Sequence, residues 1–217
     1  MDNKSSKIIA IVALVVAVVG LSVGFAAFSS VLTIESTAEV NPNSDTFSVG
    51  FSTSSSELAE GNVTATTTTG ATASAATITN SKNAATISGL KASFTEPGQS
   101  ATYSFYVYND SPYTAYLNTI QLADGETFKE CSIPSNSLAT QGLVTAACND
   151  ITLKVKVGNA EEFTGTTLSP NEALASETAV PVTVVISYAN NNHRADGAFN
   201  VDFGNIELYY STTSTAN

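Results

Sequence analysis

The apolar residues of this chain form one long uninterrupted run and, after it, a series of short alternating stretches. The run begins at Ile8 and ends at Phe28, and its 21 residues carry no charge. A helix of that length, rising 1.5 Å per residue, just spans the roughly 30 Å hydrocarbon core of a bilayer. A buried core helix is a poor alternative, because such helices are rarely this long and uniformly apolar. The pattern therefore predicts one hydrophobic helix within residues 1–28, which enters the membrane at least before any processing.

The charges on either side of the run predict its orientation. Lys4 and Lys7 precede it, whereas the first charges after it are Glu35 and Glu39. Because positive charge stays on the cytoplasmic side of a membrane, the rest of the chain is expected outside the cell. The expected location is the extracellular face of the cell membrane, or the cell surface after secretion.

The sequence leaves two interpretations of the run open. Small residues at its end fit a signal peptide that signal peptidase cuts at Ala26 or Ala27. Its length exceeds the roughly 7–15 apolar residues of an ordinary signal and fits a retained transmembrane anchor. Both interpretations predict an exported domain, and they differ in whether it stays tethered.

Alternating apolar and polar residues predict short β-strands in the remainder. From Val31 to Val40, the residues Leu32, Ile34 and Val40 share one face of a half-buried strand. Similar alternation recurs around Phe47, Val49 and Phe51, around Tyr103, Phe105 and Val107, from Ala115 to Leu122, around Ile151, Leu153, Val155 and Val157, around Val182, Val184, Ile186 and Tyr188, and from Phe199 to Tyr210. About eight to ten such strands favour an all-β fold, an antiparallel β-sandwich with a jelly-roll-like arrangement. We assign this domain to residues 29–211 and a disordered tail to residues 212–217.

The Ser/Thr/Ala-rich stretch has two interpretations, and one short helical turn is expected later in the chain. The Ser/Thr/Ala-rich stretch from Ser52 to Thr86 has no aromatic residue, and it fits either a flexible linker or weak strands over residues 63–69 and 71–79. Helical periodicity is not evident beyond the N-terminal run, apart from a short helical turn expected over residues 171–175.

Two glycines predict tight changes of chain direction. Pro97 followed by Gly98 predicts a type II turn, since proline presets φ and glycine accepts a positive φ. Gly204 with Asn205, between two alternating stretches, predicts a β-bulge or a tight bend.

The acidic composition of the chain argues against a nucleic-acid partner. The chain has 19 Asp and Glu against 8 Lys and Arg, a formal net charge of −11. Because nucleic-acid phosphates require basic patches, we expect no nucleic-acid partner.

The two cysteines, Cys131 and Cys148, are predicted to form a disulfide outside the cell. The bridge would close an 18-residue loop, which the chain-entropy model values at about 3 kcal/mol. Two separate thiols are the alternative.

Residues for catalysis or metal binding are sparse. His193 is the only histidine, and a metallopeptidase needs histidine and carboxylate ligands that this sequence does not offer in a His-Glu-x-x-His motif. A serine triad would have to use His193 with Asp196, which lies too near in sequence to be a persuasive orienting group. Asp202 and residues 190–192 carry oxygens suited to calcium, but their spacing matches no calcium loop, and turn formation explains them more simply. We therefore expect no enzyme, no cofactor and no metal.

A cluster of tyrosines offers a candidate interaction surface. Tyr103 belongs to the inward face of its strand, whereas Tyr106 and Tyr108 lie on the opposite face. An exposed aromatic face can be a subunit interface, can stack on sugars, or can simply pack within the sheet. These three roles stay open.

Two segments resemble a known family. GLSVGFAAF, which begins at Gly20, resembles the end of the signal sequence in TasA/camelysin-type proteins, where a dedicated signal peptidase processes it. The segment from Leu90 to Leu117 has Glu-Pro-Gly before an alternating strand, then Asn109 and a small-residue return, and it is similar to another element of that family. The stretch from Ser52 to Thr86 and the cysteine pair lie outside the resemblance.

The resemblance implies a jelly-roll subunit of extracellular biofilm fibres, in which an N-terminal strand of one subunit completes the sheet of the next. The strand from Val31 to Val40 lies where such a donor strand would be, and Leu32, Ile34 and Val40 are its apolar residues. The expected function is an exported, non-catalytic structural protein that self-associates into a fibre or an envelope layer. A membrane-anchored extracellular module that binds a glycan or a peptide is the alternative.

Overall fold

The computed structural model of this protein describes residues 29–34, 47–81 and 84–215. Within them the chain forms sixteen strands and one helix. In chain order these are β1 (Ser29–Ile34), β2 (Val49–Ser52), β3 (Gly61–Val63), β4 (Thr66–Thr67), β5 (Thr72–Ala73), β6 (Ala76–Ser81), β7 (Ala84–Ser88), β8 (Ala92–Ser93), β9 (Ser100–Asn109), β10 (Ala115–Leu122), β11 (Lys129–Ser132), α1 (Gln141–Asp150), β12 (Ile151–Val157), β13 (Glu172–Leu174), β14 (Thr178–Tyr188), β15 (Asn200–Phe203) and β16 (Ile206–Ser211). The helix predicted within residues 1–28, with Ala26 and Ala27, lies outside the described residues, and so does Val40.

Two main sheets surround one apolar core, which confirms the predicted all-β sandwich. The larger sheet has seven strands in the order β13-β10-β16-β1-β7-β6-β3, and its pairing is antiparallel except between β1 and β7. The smaller sheet has the order β12-β14-β9-β2, with β4 also paired to β9. Two short ribbons, β11 with β15 and β5 with β8, complete the strands that the structure describes.

The alternation of β9 and β14 builds the centre of the core. Tyr103, Phe105 and Val107 of β9 are each at most 2 % exposed. On β14, Val184 and Val182 stand opposite Tyr103 and Phe105 in register. A shift of one residue would turn these side chains to the other face of the sheet, so burial of the apolar face fixes the register.

Helix α1 and strand β13 differ from the sequence-based expectations. The sequence predicts no helix at α1, because its ten residues bury only Val144 and Ala147 and give a weak helical period. The helical turn expected over residues 171–175 is wrong. Asn171 has a φ of +51°, outside the right-handed helical region, and β13 follows it as a strand paired with β10.

The Ser/Thr/Ala-rich stretch contributes β3, β6 and part of β7 to the larger sheet, β4 to the smaller sheet and β5 to a ribbon with β8, so the weak-strand interpretation describes these residues better than a flexible linker. Strand β6 pairs with β3 on one side and with β7 on the other. Its inward residues Ala76 and Ile78 are at most 1 % exposed, and Ile87 of β7 is fully buried. Threonine and small residues occupy the outward positions, so the strand period is present but has little hydrophobic contrast.

Both glycine predictions have a structural counterpart. Gly98 has a φ of +88°, which fits the third position of a type II turn after Pro97. Gly204 connects β15, which pairs with β11, to β16, which pairs with β10 and β1, so the chain changes sheets there. A Cβ on Gly204 would lie 2.5 Å from the carbonyl oxygen of Thr127, and this close approach explains the glycine.

The disordered tail expected over residues 212–217 stays a prediction, although residues 213–215 make hydrogen bonds with the sandwich. Asn118 Nδ2 donates to the carbonyl oxygen of Thr213 at 3.0 Å. The hydroxyl of Ser214 and the backbone N–H of Thr215 both donate to Asn171 Oδ1, at 2.8 and 3.1 Å. These residues therefore hold to the sandwich, and residues 216–217 lie outside the described part.

Candidate assembly site

Strand β1 lies inside the larger sheet, between β16 and β7. It pairs with β16 in antiparallel register, from Ser29 opposite Ser211 to Ile34 opposite Ile206. It pairs with β7 in parallel register over residues 32–34. Of the predicted donor residues, Leu32 and Ile34 therefore occupy register positions in the centre of a sheet.

The two strands beside β1 present a continuous buried row at these positions. Leu208 and Ile206 of β16 are the register partners of Leu32 and Ile34, and both are at most 1 % exposed. On the β7 side, Ile87 is the register partner of Ile34 and is fully buried. Residues paired with Leu208, Ile206 and Ile87 on this face should be apolar, because burying a polar group without a hydrogen-bond partner lowers the stability of the fold.

The sheet needs a strand at this position. Without β1, the facing edges of β16 and β7 would each carry a row of unpaired backbone N–H and C=O groups. The larger sheet would separate into β13-β10-β16 and β7-β6-β3. We call the position between β16 and β7 the acceptor slot.

A long segment connects β1 to the rest of the domain. Residues 35–46 lie between Ile34 and Phe47 and outside the described part of the structure. A dozen residues of extended chain reach at most about 40 Å, at roughly 3.3–3.6 Å per residue. That reach is compatible with insertion of β1 into its own slot or into the slot of a neighbouring copy.

The outer edges of both sheets offer little to an added strand. The larger sheet ends in β13 and β3, which have three residues each. The smaller sheet ends in β12 and β2. Beside β12, the backbone N–H groups of Val155 and Phe163 donate to each other's carbonyl oxygens at 3.1 and 2.8 Å, so the middle of this edge is covered. Strand β2 has four residues. Short or covered edges resist strand addition.

The aromatic face expected at Tyr106 and Tyr108 is largely closed. Tyr108 is 6 % exposed, so its ring offers almost no surface to a partner, and of the three roles left open its burial supports packing within the sheet. Tyr106 is half-buried. Tyr103, on the other face, is buried in the core as expected. Its hydroxyl lies 2.8 Å from the carbonyl oxygens of both Ser74 and Lys91, and either oxygen can accept its hydrogen bond.

A different pair of tyrosines lies on the outer face of the larger sheet. Tyr209 of β16 and Tyr116 of β10 are both half-buried, and Tyr209 donates a hydrogen bond to Glu207 on its own strand. Burial, followed by this bond, raises the pKa of Tyr209 to about 12. The alternation of Ile206, Leu208 and Tyr210 as inward residues could have identified Tyr209 as outward-facing from the sequence.

Hydroxyl groups extend this outer face towards the β3 edge. Thr79 and Thr77 of β6 stand opposite Thr86 and Ser88 of β7. The hydroxyl of Thr77 donates to Asn62 Oδ1 at 3.1 Å. These five side chains carry no charge, but Glu207 of β16 lies on the same face beside Tyr209, so this outer face combines neutral hydroxyl groups with a carboxylate.

The predicted disulfide is confirmed. Cys131 and Cys148 are bonded, and the bridge joins β11 to α1. Lys129 binds the same helix end, because its Nζ donates to the carbonyl oxygens of Cys148 and Ile151 at 2.8 and 2.9 Å. This cation interacts favourably with the C-terminal end of the helix, and it shares the Cys148 carbonyl oxygen with the backbone N–H of Ile151. Burial lowers the pKa of Lys129, and the charge of Asp150 partly opposes that shift.

The loop that carries the only histidine supports α1 at both ends. His193 Nδ1 lies 2.8 Å from Asp150 Oδ2 at the C-terminal end. Asp196 accepts hydrogen bonds from the backbone N–H and the hydroxyl of Thr140, the N-cap residue, at 2.7 and 2.5 Å. These bonds hold the pKa of Asp196 below its usual value. Asp196 therefore binds the helix start, while His193 pairs with Asp150.

The described part of the chain offers neither a cluster of metal-binding side chains nor a helix that could span a membrane. No group of three or more His, Cys, Asp or Glu side chains that could hold a metal ion occurs in residues 29–34, 47–81 and 84–215. In those same ranges the structure has no helix long and apolar enough to cross a membrane. No family model matches the chain, and neither a curated protein nor a solved structure matches it.

Proposed function

We propose that this protein is an exported, non-catalytic structural subunit of the cell surface. Its copies join into an extracellular fibre or an envelope layer when β1 of one copy occupies the acceptor slot of the next. Residues 8–28 direct export through the membrane, after which signal peptidase releases the domain or the run keeps it anchored at the cell surface.

The observation that carries this proposal is the place of β1 in the sheet. It is the first strand that the structure describes, it fills a central position in the larger sheet, and twelve residues of sequence separate it from Phe47. An exchanged strand would keep the same register with β16 and β7, so a polymer would retain every backbone pairing of the monomer. Exchange therefore loses no sheet energy, and the short or covered outer edges leave few competing routes to strand addition.

Strand exchange can be tested by removing the strand and returning it as a peptide. We would compare the chain that starts at Ser29 with a chain that starts at Phe47, by light scattering after size exclusion and by negative-stain electron microscopy. The chain from Ser29 should form linear polymers, and the chain from Phe47 should form none. A peptide of residues 29–40 should bind the shortened chain and raise its melting temperature.

A matched peptide with Leu32→Asp and Ile34→Asp provides the control, because these residues are in register with buried Leu208 and Ile206. It should not bind, since it would place carboxylates in an apolar row. Equal binding of the two peptides, or polymers from the chain without β1, would contradict the proposal. The N-terminal sequence of protein recovered from cells and medium would show whether cleavage occurs at Ala26 or Ala27.

A binding module for a neutral glycan is the second candidate. It is favoured by Tyr116 and Tyr209, which share an outer face with the hydroxyl groups of β6 and β7 across β1, since sugars stack on aromatic rings and bond to hydroxyl groups. Saturable glycan binding that Tyr209→Ala abolishes and Tyr106→Ala preserves would support this function. Unchanged binding in Tyr209→Ala would exclude that face.

A further inference from the structure

We propose that Asn62 is a site of N-linked glycosylation, at which a membrane oligosaccharyltransferase attaches a glycan to the side-chain nitrogen. The proposal rests on the export step of the proposed function, because the transfer takes place on the side of the membrane to which chains are exported.

The sequence contains three matches to the acceptor pattern Asn-x-Ser/Thr, in which x is any residue except proline, and they begin at Asn3, Asn62 and Asn109. So short a pattern also occurs by chance, and the place of each asparagine decides whether it can accept a glycan. Asn3 precedes the apolar run together with Lys4 and Lys7. The orientation predicted from these lysines leaves Asn3 on the cytoplasmic side, away from the transfer.

Burial excludes Asn109. Its side chain is fully buried, and Ser111, which completes the pattern, is 1 % exposed. Asn109 Nδ2, the atom that would carry the glycan, donates to the carbonyl oxygens of Tyr113, Leu174 and Ala175. A sugar at this nitrogen would break these bonds and open the end of the sandwich.

The match at Asn62 is open to an enzyme. Asn62 belongs to β3, which stands at the end of the larger sheet and pairs with β6. Asn62 and Thr64 are both exposed, whereas Val63 between them is 5 % exposed. The amide that accepts the glycan and the hydroxyl that completes the pattern therefore face solvent, on either side of a valine that the core holds.

A hydrogen bond orients the Asn62 amide for this reaction. The hydroxyl of Thr77, its exposed register partner on β6, donates to Asn62 Oδ1 at 3.1 Å. The bond uses the oxygen of the amide, so Nδ2 stays available. A glycosylated asparagine keeps that oxygen, and the bond to Thr77 can persist after the transfer.

The donor is an oligosaccharide linked through phosphate to a membrane lipid. Asn62 Nδ2 displaces the phosphate from the anomeric carbon of the first sugar. A carbon–nitrogen bond forms, the carbon–oxygen bond to the phosphate breaks, and the amide loses one proton to a base of the transferase. The products are glycosylated Asn62 and the free lipid phosphate, and neither reactant is oxidised or reduced.

The position of the glycan has a consequence for assembly. Strand β3 has three residues and forms one outer edge of the larger sheet. A bulky, solvated group on this strand hinders the approach of another strand to the edge. It leaves the acceptor slot, several strands away in the sheet order, free for β1.

The test is the mass of the protein recovered from the surface or the medium of the cells that make it. The intact mass should exceed that of the polypeptide by one glycan, and fragmentation of the peptide that contains β3 should locate the glycan on Asn62. Thr64→Ala should remove the added mass although Asn62 is retained. Thr64→Ser is the matched control and should keep it, because either hydroxyl completes the pattern. Both variants change an exposed side chain, so their melting temperatures without the glycan should equal that of the unchanged chain.

An exported protein with an unmodified Asn62 would overturn this proposal and leave the proposed function intact. Added mass that survives Thr64→Ala would also overturn it, since the sugars would then lie on other side chains, such as serine or threonine hydroxyl groups. A glycan on Asn109 would contradict the argument from burial. Protein that stays inside the cells without a glycan would contradict both this proposal and export itself.

Discussion

Asn109 gives the sharpest test of how the two sheets are held together at one end of the sandwich. Its side chain is fully buried. Its Nδ2 donates to the carbonyl oxygens of Tyr113, Leu174 and Ala175 at 2.7, 3.0 and 3.1 Å. Its Oδ1 accepts from the backbone N–H and the hydroxyl of Ser111 at 3.2 and 2.6 Å. One amide therefore connects the end of β9, the following turn and the end of β13.

The magnitude follows from the groups left without partners. In Asn109→Ala, a buried N–H and several buried carbonyl oxygens lose their bonds, and each such loss costs about 1–3 kcal/mol. Because some carbonyl oxygens can recruit water, we expect a total of about 3 kcal/mol. For a domain of this size, that corresponds to a fall of about 6–12 °C in the melting temperature. Asn109→Asp should be worse at neutral pH, since it turns an ionised oxygen towards three carbonyl oxygens.

The assay is urea unfolding of both variants, with Asn118→Ala as the control. Asn118 donates to Ser211 Oγ and the Thr213 carbonyl oxygen, but it is only half-buried, so water can replace those bonds and the cost should stay below about 1 kcal/mol. Acid should partly rescue Asn109→Asp, because the protonated acid regains a donor. The buried amide of Asn109 does not hold the sheets together if Asn109→Ala lowers the free energy of unfolding no more than Asn118→Ala does. The same conclusion follows if Asn109→Asp is less destabilising than Asn109→Ala at pH 7.

Three further predictions test other parts of the fold. Replacing both Cys131 and Cys148 with serine should lower the free energy of unfolding by about 3 kcal/mol, the entropy of closing the loop, and an unchanged urea midpoint would contradict this value. Stability should fall as pH rises above 10, because a tyrosine in the unfolded chain ionises near pH 10. Burial raises the pKa of Tyr210 in the folded protein. Burial and the hydrogen bond to Glu207 raise the pKa of Tyr209 to about 12. The raised values contribute stability that is complete below pH 10 and lost towards pH 12, so phenolate absorbance and circular dichroism should change together. Gly204→Ala should cost about 1–3 kcal/mol, since its Cβ would lie 2.5 Å from a backbone oxygen, whereas Gly142→Ala, which has open space around it, should be neutral or stabilising in calorimetry.

Local patterns in the chain were sufficient to predict the strands whose signal is strong. In β12, in β9 as far as Val107 and in β14 from Val182 onwards, the alternation along the sequence maps onto the buried and outward faces. The disulfide was also predictable, because two cysteines in a chain predicted to be exported leave one pairing. Pro97 and Gly98 predicted their turn because proline and glycine restrict or permit particular backbone angles.

Packing determines which groups meet across long sequence separations. Helix α1 has too few apolar residues to be recognised from its period, and its ends depend on Lys129, His193 and Asp196 from elsewhere in the chain. Burial of Tyr108 could not be read from alternation, because period alone does not show what covers the second face of a sheet.

The same limit applies to β1 and Asn109. Alternation predicted a strand near Val31, but its place between β16 and β7 depends on partners that are distant in the sequence. Asparagine is a residue type common in turns, and Asn109 becomes a buried hydrogen-bonding residue between the sheets only because β13 packs against it. Local patterns fix backbone conformation and inward faces, whereas strand partners and buried polar bonds arise from packing that no local window contains.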